Sequence, residues 1–100
     1  MRLTEQQQRA IRDAARTRFG DDVRVYVFGS RTDDSARGGD IDLFVEADRP
    51  IPNRVETAAR YEADLIRALG DRKIDIVVAD PTVREKPIHR AAREEGIELT

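Results

Sequence analysis

Residues 40–46, with the sequence DIDLFVE, alternate between one face with Asp40, Asp42, Phe44 and Glu46 and a second face of aliphatic side chains. Asp40 and Asp42 fall on one face, and the three aliphatic residues at positions 41, 43 and 45 fall on the other. This alternation predicts a β-strand that is buried on one side. Because the aliphatic side must pack against a core, the two carboxylates must project together from the opposite side of the sheet.

The remaining sequence predicts two further strands, a short terminal strand and three helices. Thr4 and Gln7 form a capping-box pattern at the start of the first helix, and Pro87 is typical of a first helical position. Asn53 and Glu56 indicate the start of the second helix. The expected elements are a helix over 4–19, strands over 23–28 and 40–46, a helix over 53–69, a strand over 73–79, a helix over 87–95 and a strand over 97–99.

This order predicts an α/β (α+β) fold with a small mixed β-sheet and helices packed on one face. We expect the opposite face, which carries the aspartates, to be open to a ligand. The 100 residues contain no repeat, linker or composition break, so we expect a single domain over residues 1–100.

Composition limits the classes of function. The formal net charge is -2, which gives no strong signal for binding long nucleic acids. No apolar run approaches the ~20 residues of a membrane helix, and the N-terminus has no apolar signal-peptide core. The chain has no cysteine, so disulfides and thiolate metal sites are excluded. We therefore expect a cytoplasmic protein that does not enter membranes.

The paired aspartates predict a metal site. Asp40 and Asp42 lie about 6.5–7 Å apart along one strand face, where unpaired carboxylates repel each other. A divalent cation would relieve this repulsion, and Asp75 on another predicted strand supplies a third carboxylate. Oxygen ligands favour Mg²⁺ or Mn²⁺ over Zn²⁺.

Gly29 and Ser30 end the preceding strand and predict a phosphate-binding turn. Glycine allows a phosphate to approach the backbone closely, and the serine hydroxyl and nearby N–H groups can donate to phosphate oxygens. A phosphate cradle beside a carboxylate metal site is the layout that nucleotidyl transfer requires.

These motifs together resemble the nucleotidyltransferase superfamily of the DNA polymerase β type. The resemblance rests on the segments FGSR (28–31) and GDIDL (39–43), on Asp75 in a later strand, and on the closing AAREEGIEL segment, and it spans most of the chain. It is greatest to the minimal members, which are often found beside a HEPN-domain partner. Nine residues separate Ser30 from Asp40, whereas some minimal antitoxins of this type have ten.

The resemblance implies a role for each matching residue. Gly29 and Ser30 would hold the triphosphate of a nucleoside triphosphate (NTP), with ATP as the expected substrate. Asp40 and Asp42 would bind two Mg²⁺ ions, and Asp75 would bind the catalytic ion and help to deprotonate an acceptor hydroxyl. Arg31 would contact phosphate, or would instead pair with a nearby aspartate.

Three functions remain open at this stage. The first is transfer of AMP, or another nucleoside monophosphate (NMP), to a hydroxyl on a HEPN toxin, by which the chain would act as an antitoxin. The second is a binding module that neutralises its partner by occlusion, without needing catalysis. The third, nucleotidylation of an antibiotic, is weaker because such enzymes carry an extra helical domain for which these residues leave no room. A homo-oligomer or a heteromeric partner would supply the part of the substrate site that the extra helical domain forms in such enzymes.

Several residues outside this motif have ordinary expected roles. We expect His89 to lie on the surface, and we interpret its R-x4-H spacing from Arg84 as coincidence rather than a ribonuclease motif. The charged residues of 90–95 are expected to form a solvated helix face. Tyr61 is a candidate for partner contact or modification.

Overall fold

The computed structural model describes residues 3–28 and 41–100 of the chain. The elements are α1 (Glu5–Phe19), β1 (Arg24–Phe28), β2 (Ile41–Glu46), α2 (Arg54–Leu69), β3 (Ile74–Ala79), α3 (Pro87–Glu95) and β4 (Ile97–Glu98). Each predicted element is present within one or two residues of its expected bounds. Within the described ranges, no helix is both long and apolar enough to cross a lipid bilayer.

The strands form one mixed sheet in the order β3-β2-β1-β4. β1 pairs antiparallel with both β2 and β4, whereas β2 and β3 run parallel. Parallel strands require a crossover connection, and α2 supplies it between β2 and β3. The predicted mixed sheet is therefore confirmed. The predicted N-terminal helix and the predicted helix between β2 and β3 are also present.

The starts of the first two helices differ in how they are capped. Thr4 and Gln7 form the predicted capping box, with the Gln7 N–H donating to Thr4 Oγ1 at 3.0 Å and the Thr4 N–H donating to Gln7 Oε1 at 2.9 Å. Asn53 also precedes its helix as expected, but its side chain makes no capping hydrogen bond. It adopts a left-handed conformation with φ of 50°, which asparagine tolerates better than most residues.

The main core lies between one face of the sheet and the helices α1 and α2. Tyr61 of α2 belongs to this core, with no exposed surface, and its hydroxyl donates to the carbonyl oxygen of Ile11 at 2.9 Å. Its ring meets Phe19 edge to face at 5.4 Å between centroids. Burial raises the pKa of the Tyr61 phenol. The expectation that Tyr61 is available for partner contact or modification was wrong, because its hydrogen bond and ring contact fix it inside.

The third helix packs on the other face of the sheet. Ala92 of α3 is buried with Tyr26, Phe44 and Ala79 in a second, smaller core cluster. The expected packing of helices on one face holds for α1 and α2, and α3 covers part of the face that carries Asp42. Among residues 3–28 and 41–100, α3 is the helix that packs on this face.

Gly96 allows the chain to pass from α3 into β4 against the sheet. A Cβ at this position would clash with the backbone oxygen of Ala92 and lie 2.9 Å from the backbone oxygen of Val27. The Gly96 N–H donates to the same Ala92 oxygen at 2.9 Å, which ends the helix as predicted. A side chain here would force α3 away from β1.

A buried carboxylate holds the end of β3 to the start of α2. Asp80 is 5% exposed and accepts from the N–H of Ile51 at 2.8 Å, from the N–H of Thr82 at 2.8 Å and from the Thr82 hydroxyl at 2.5 Å. Arg54 lies 3.4 Å from the same carboxylate. Burial alone would raise the pKa of Asp80, but these hydrogen bonds and the arginine outweigh it and lower the pKa to about 2.

We predict that Asp80→Asn destabilises the fold by about 2 kcal/mol at pH 7, because an amide cannot satisfy the same donors. The lowered pKa means that the wild-type carboxylate contributes stability at pH values above its unfolded pKa and loses it as the pH falls towards 2. Urea unfolding at pH 7, 4 and 3 should therefore show the difference between variant and wild type shrinking.

Asp13→Asn is the matched control, because Asp13 is exposed on α1 and its carboxylate makes no hydrogen bond within the described ranges. It should leave stability nearly unchanged at each pH. An Asp80→Asn penalty that stayed constant from pH 7 to pH 3 would contradict the role given to the ionised carboxylate.

Candidate active site

Asp42 lies on the central part of the sheet, near the beginning of β2. It is half-buried, and its register partners are Phe28 on β1 and Asp75 on β3. The flanking residues Ile41 and Leu43 have no exposed surface, so they fix the strand face from which the carboxylate projects. The predicted placement of Asp42 opposite the main core is confirmed.

Asp75 is the direct register partner of Asp42 across the parallel β2–β3 pair. Neighbouring strands lie about 4.8 Å apart, and paired residues of parallel strands project from the same face. Asp75 is exposed on an edge strand and forms no ion pair or hydrogen bond with the described residues. The fold thus brings together two of the three aspartates that the sequence singled out.

The other predicted site residues, Gly29, Ser30, Arg31 and Asp40, lie outside the described residues. Within 3–28 and 41–100, no group of three or more histidine, cysteine, aspartate or glutamate side chains is close enough to hold a metal ion. What the described part of the site supplies is therefore a pair of carboxylates. The pair offers the hard oxygen donors that Mg²⁺ and Mn²⁺ prefer, and two adjacent negative charges favour a bound cation.

One side of the carboxylate pair is bounded by an aromatic stack. Phe44, two residues after Asp42 on β2, stacks on Tyr26 at 5.7 Å and on His89 at 5.5 Å between ring centroids. The guanidinium of Arg93 lies 5.9 Å from the centre of the Phe44 ring. These contacts hold α3 against the same face of the sheet that carries Asp42.

Only 5% of the His89 surface is exposed. The expectation that His89 lies on the surface was therefore wrong. Pro87 begins α3 and places His89 three residues after Lys86, where its Nδ1 accepts the Lys86 N–H at 3.2 Å. The ring then lies against Phe44. These contacts help to hold α3 against the sheet.

Three of the charged residues expected on a solvated face of α3, namely Arg90, Glu94 and Glu95, are exposed, and Arg93 is the exception. Arg93 is 33% exposed and pairs across to Glu46 at 2.8 Å and to Glu85 at 2.8 Å, rather than along its own helix. These hydrogen bonds raise the pKa of Arg93, with Glu46 making the larger contribution. Through these two ion pairs, Arg93 connects α3 to the end of β2 and to the segment before α3.

A polar cavity of about 680 Å³ lies at the other end of the sheet from the two aspartates. Its lining includes Glu46, Asp80, His89 and Arg93, and it does not include Asp42 or Asp75. Glu46 is four residues beyond Asp42 on β2, or about 13 Å along an extended strand. This cavity therefore does not coincide with the two aspartates that the sequence predicted for the site.

Lys73 is a residue near the carboxylate pair that the sequence analysis did not single out. Its carbonyl oxygen accepts the N–H of Ile41 at 3.0 Å, so the pairing of the two strands continues one residue before β3. The spacing of two residues between Lys73 and Asp75 was the signal available in the sequence, because it places both on one face of an extended segment.

The comparison with known proteins agrees with this arrangement. The family model of the nucleotidyltransferase domain matches residues 8–99, which includes every described strand and helix except the first residues of α1. No curated protein gives a significant match to the chain. With the mixed sheet, the paired carboxylates and this match over nearly its whole length, the chain belongs to the nucleotidyltransferase domain family.

Proposed function

We propose that this nucleotidyltransferase uses Asp40, Asp42 and Asp75 to hold two Mg²⁺ ions and transfers AMP from ATP to a hydroxyl group. The observation that carries the proposal is the register pairing of Asp42 with Asp75 on neighbouring parallel strands. Two carboxylates at the same level on neighbouring strands offer oxygen donors of the kind that bind a divalent cation. The nucleotidyltransferase chemistry would supply both a divalent cation and an anionic substrate at this pair.

The two described aspartates have different surroundings, which suits different tasks. Asp42 is half-buried on an interior strand, where flanking strands hold it rigidly. Asp75 is exposed on the edge strand, where an acceptor can approach from solvent. We assign Asp42 to metal binding alone, and Asp75 to metal binding together with accepting the proton of the attacking hydroxyl.

The chemical step is an in-line displacement at the α-phosphorus of ATP. A bond forms between the acceptor oxygen and phosphorus, the bond to the bridging oxygen breaks, and pyrophosphate leaves. The metal ions, when bound, neutralise phosphate charge and orient the reacting groups. Gly29 and Ser30 would hold the triphosphate, with Arg31 as a further phosphate contact.

We propose a hydroxyl side chain of a HEPN-type toxin as the acceptor, so that the protein acts as an antitoxin in the cytoplasm. The support is the resemblance of the FGSR and GDIDL segments to minimal nucleotidyltransferases. The alternative is neutralisation by binding alone. The exposed carboxylate on the edge strand favours transfer, because occlusion of a partner does not require it.

Magnesium should stabilise the wild-type protein by binding at the carboxylate pair. We predict that millimolar Mg²⁺ or Mn²⁺ raises the Tm measured by differential scanning fluorimetry, and that Asp75→Asn abolishes this rise. In metal-free buffer the variant should be at least as stable as the wild type, because one of two adjacent negative charges has been removed.

Asp13→Asn serves again as the control, since it removes one negative charge from α1, away from the sheet face. It should retain the full response to metal. A metal-dependent rise in Tm that was the same in the wild type and in Asp75→Asn would show that the ion binds elsewhere.

Loss of Asp42 should abolish transfer without unfolding the domain. We predict that a HEPN-domain partner co-expressed with the wild type gains one or more AMP units in its intact mass, and that the partner co-expressed with Asp42→Asn gains none. The expected loss is at least a hundredfold, as for removal of a group that stabilises developing charge.

The same co-expression separates modification from occlusion. If modification neutralises the toxin, Asp42→Asn should fail to protect growing cells although it folds normally by circular dichroism. An unmodified partner that co-purifies with both forms, together with full protection by the variant, would contradict the transfer proposal and support binding alone.

A further inference from the structure

Lys73 extends the paired strands towards the end of the sheet where the aspartates lie. The Ile41 N–H donates to its carbonyl oxygen at 3.0 Å, so its backbone is held in the same ladder as β3. Ile41 and Ile74 are the first register pair of β2 and β3, and Lys73 directly precedes that pair. Its backbone is therefore held to β2 by this hydrogen bond.

Alternation along an extended segment puts Lys73 on the same face as Asp75. Their Cα atoms are about 6.5–7 Å apart at this spacing, which is within reach of a lysine side chain. Lys73 is nevertheless exposed, and its ammonium group forms no ion pair or hydrogen bond with residues 3–28 or 41–100. By contrast, Arg18 and Arg93 each make close ion pairs with acidic side chains.

A lysine that forms no ion pair with the described residues, and that lies beside a carboxylate pair, fits an anionic ligand better than it fits a metal ion. Divalent cations bound by the aspartates would repel an ammonium group, whereas phosphate oxygens would attract it. An ATP molecule carries enough negative charge to bind the metal ions and a lysine together, and lysine is a common point-charge partner of phosphate. Its three donors also suit several phosphate oxygens at once.

We propose that Lys73 is a phosphate-binding residue of this site, and that its ammonium group contacts the phosphate chain of the metal-bound nucleotide. The inference rests on the proposed function, because it requires a nucleoside triphosphate at the aspartates. It adds a residue from the strand beside β2 to the phosphate contacts assigned to Gly29, Ser30 and Arg31. The competing explanation is a solvated lysine that only protects the edge of the sheet from pairing with other chains.

The test is calorimetric titration with ATP, ADP and AMP in the presence of Mg²⁺. Lys73→Ala should weaken ATP binding about tenfold or more, which is the loss expected for one charge-assisted contact. AMP binding should change much less, because the phosphates that Lys73 would contact are missing. Lys73→Arg should recover most of the ATP affinity, since it restores the positive charge.

Lys86→Ala is the matched control. Lys86 is the other lysine of the chain, it is also exposed, and it lies at the start of α3. It should bind ATP as tightly as the wild type. Circular dichroism and thermal unfolding of each variant will show that any loss of affinity occurs in a folded protein.

The outcomes separate this inference from the proposed function. A folded wild type that binds no ATP with Mg²⁺ would contradict the proposed function and remove the basis for a role of Lys73. If the wild type binds ATP and Lys73→Ala binds it equally well, the role of Lys73 is wrong while the proposed function stands. A Lys73→Ala defect in transfer with unchanged ATP binding would also overturn the inference, because it would place Lys73 at the acceptor.

Discussion

The parallel pairing of β2 with β3 is the constraint on which the site depends. It sets Asp42 and Asp75 at the same level on neighbouring strands and on the same face. The pairing is fixed by the aliphatic residues on the opposite face, because a slip of one residue would turn those side chains out of the core. Hydrophobic burial on the opposite face therefore contributes the energy that fixes the positions of the two carboxylates.

The contacts at the far end of the sheet complete this arrangement. Asp80 ties the end of β3 to the segment before α2, and Arg93 ties α3 to the end of β2. Phe44 lies between them and the aspartates, stacked on Tyr26 and His89. Asp80 and Arg93 at this end are thus paired with other side chains, whereas Asp75 at the other end is exposed. This contrast is a physical reason to propose the chemistry at the aspartates rather than in the cavity around Glu46 and Asp80.

Local patterns in the sequence were sufficient to predict the elements and the common face of Asp42 and Asp75. Alternation defines a strand face without any knowledge of its neighbours, and Thr4, Pro87 and Gly96 mark helix ends by local chemistry. The packing of α3 could not be predicted in this way. Its few apolar side chains do not specify which face of the sheet they cover, and for that reason His89 was expected at the surface.

Long-range contacts were likewise inaccessible from the pattern alone. The hydrogen bond from Tyr61 to Ile11 joins residues 50 positions apart, and the bridge from Arg93 to Glu46 joins residues 47 positions apart. The register that pairs Asp42 with Asp75 also depends on which strands become neighbours. The assignments of Gly29, Ser30, Arg31 and Asp40 remain predictions from the sequence.

The most direct test of the account is the location of the metal and nucleotide on the sheet. Mn²⁺ added with ATP broadens the NMR signals of nearby amides, so its position can be mapped on a backbone-assigned sample. The account predicts broadening centred on residues 41–42 and 74–75 at the start of β2 and β3. Broadening centred on the cavity around Glu46 and Asp80, with the signals of Asp42 and Asp75 unaffected, would contradict it.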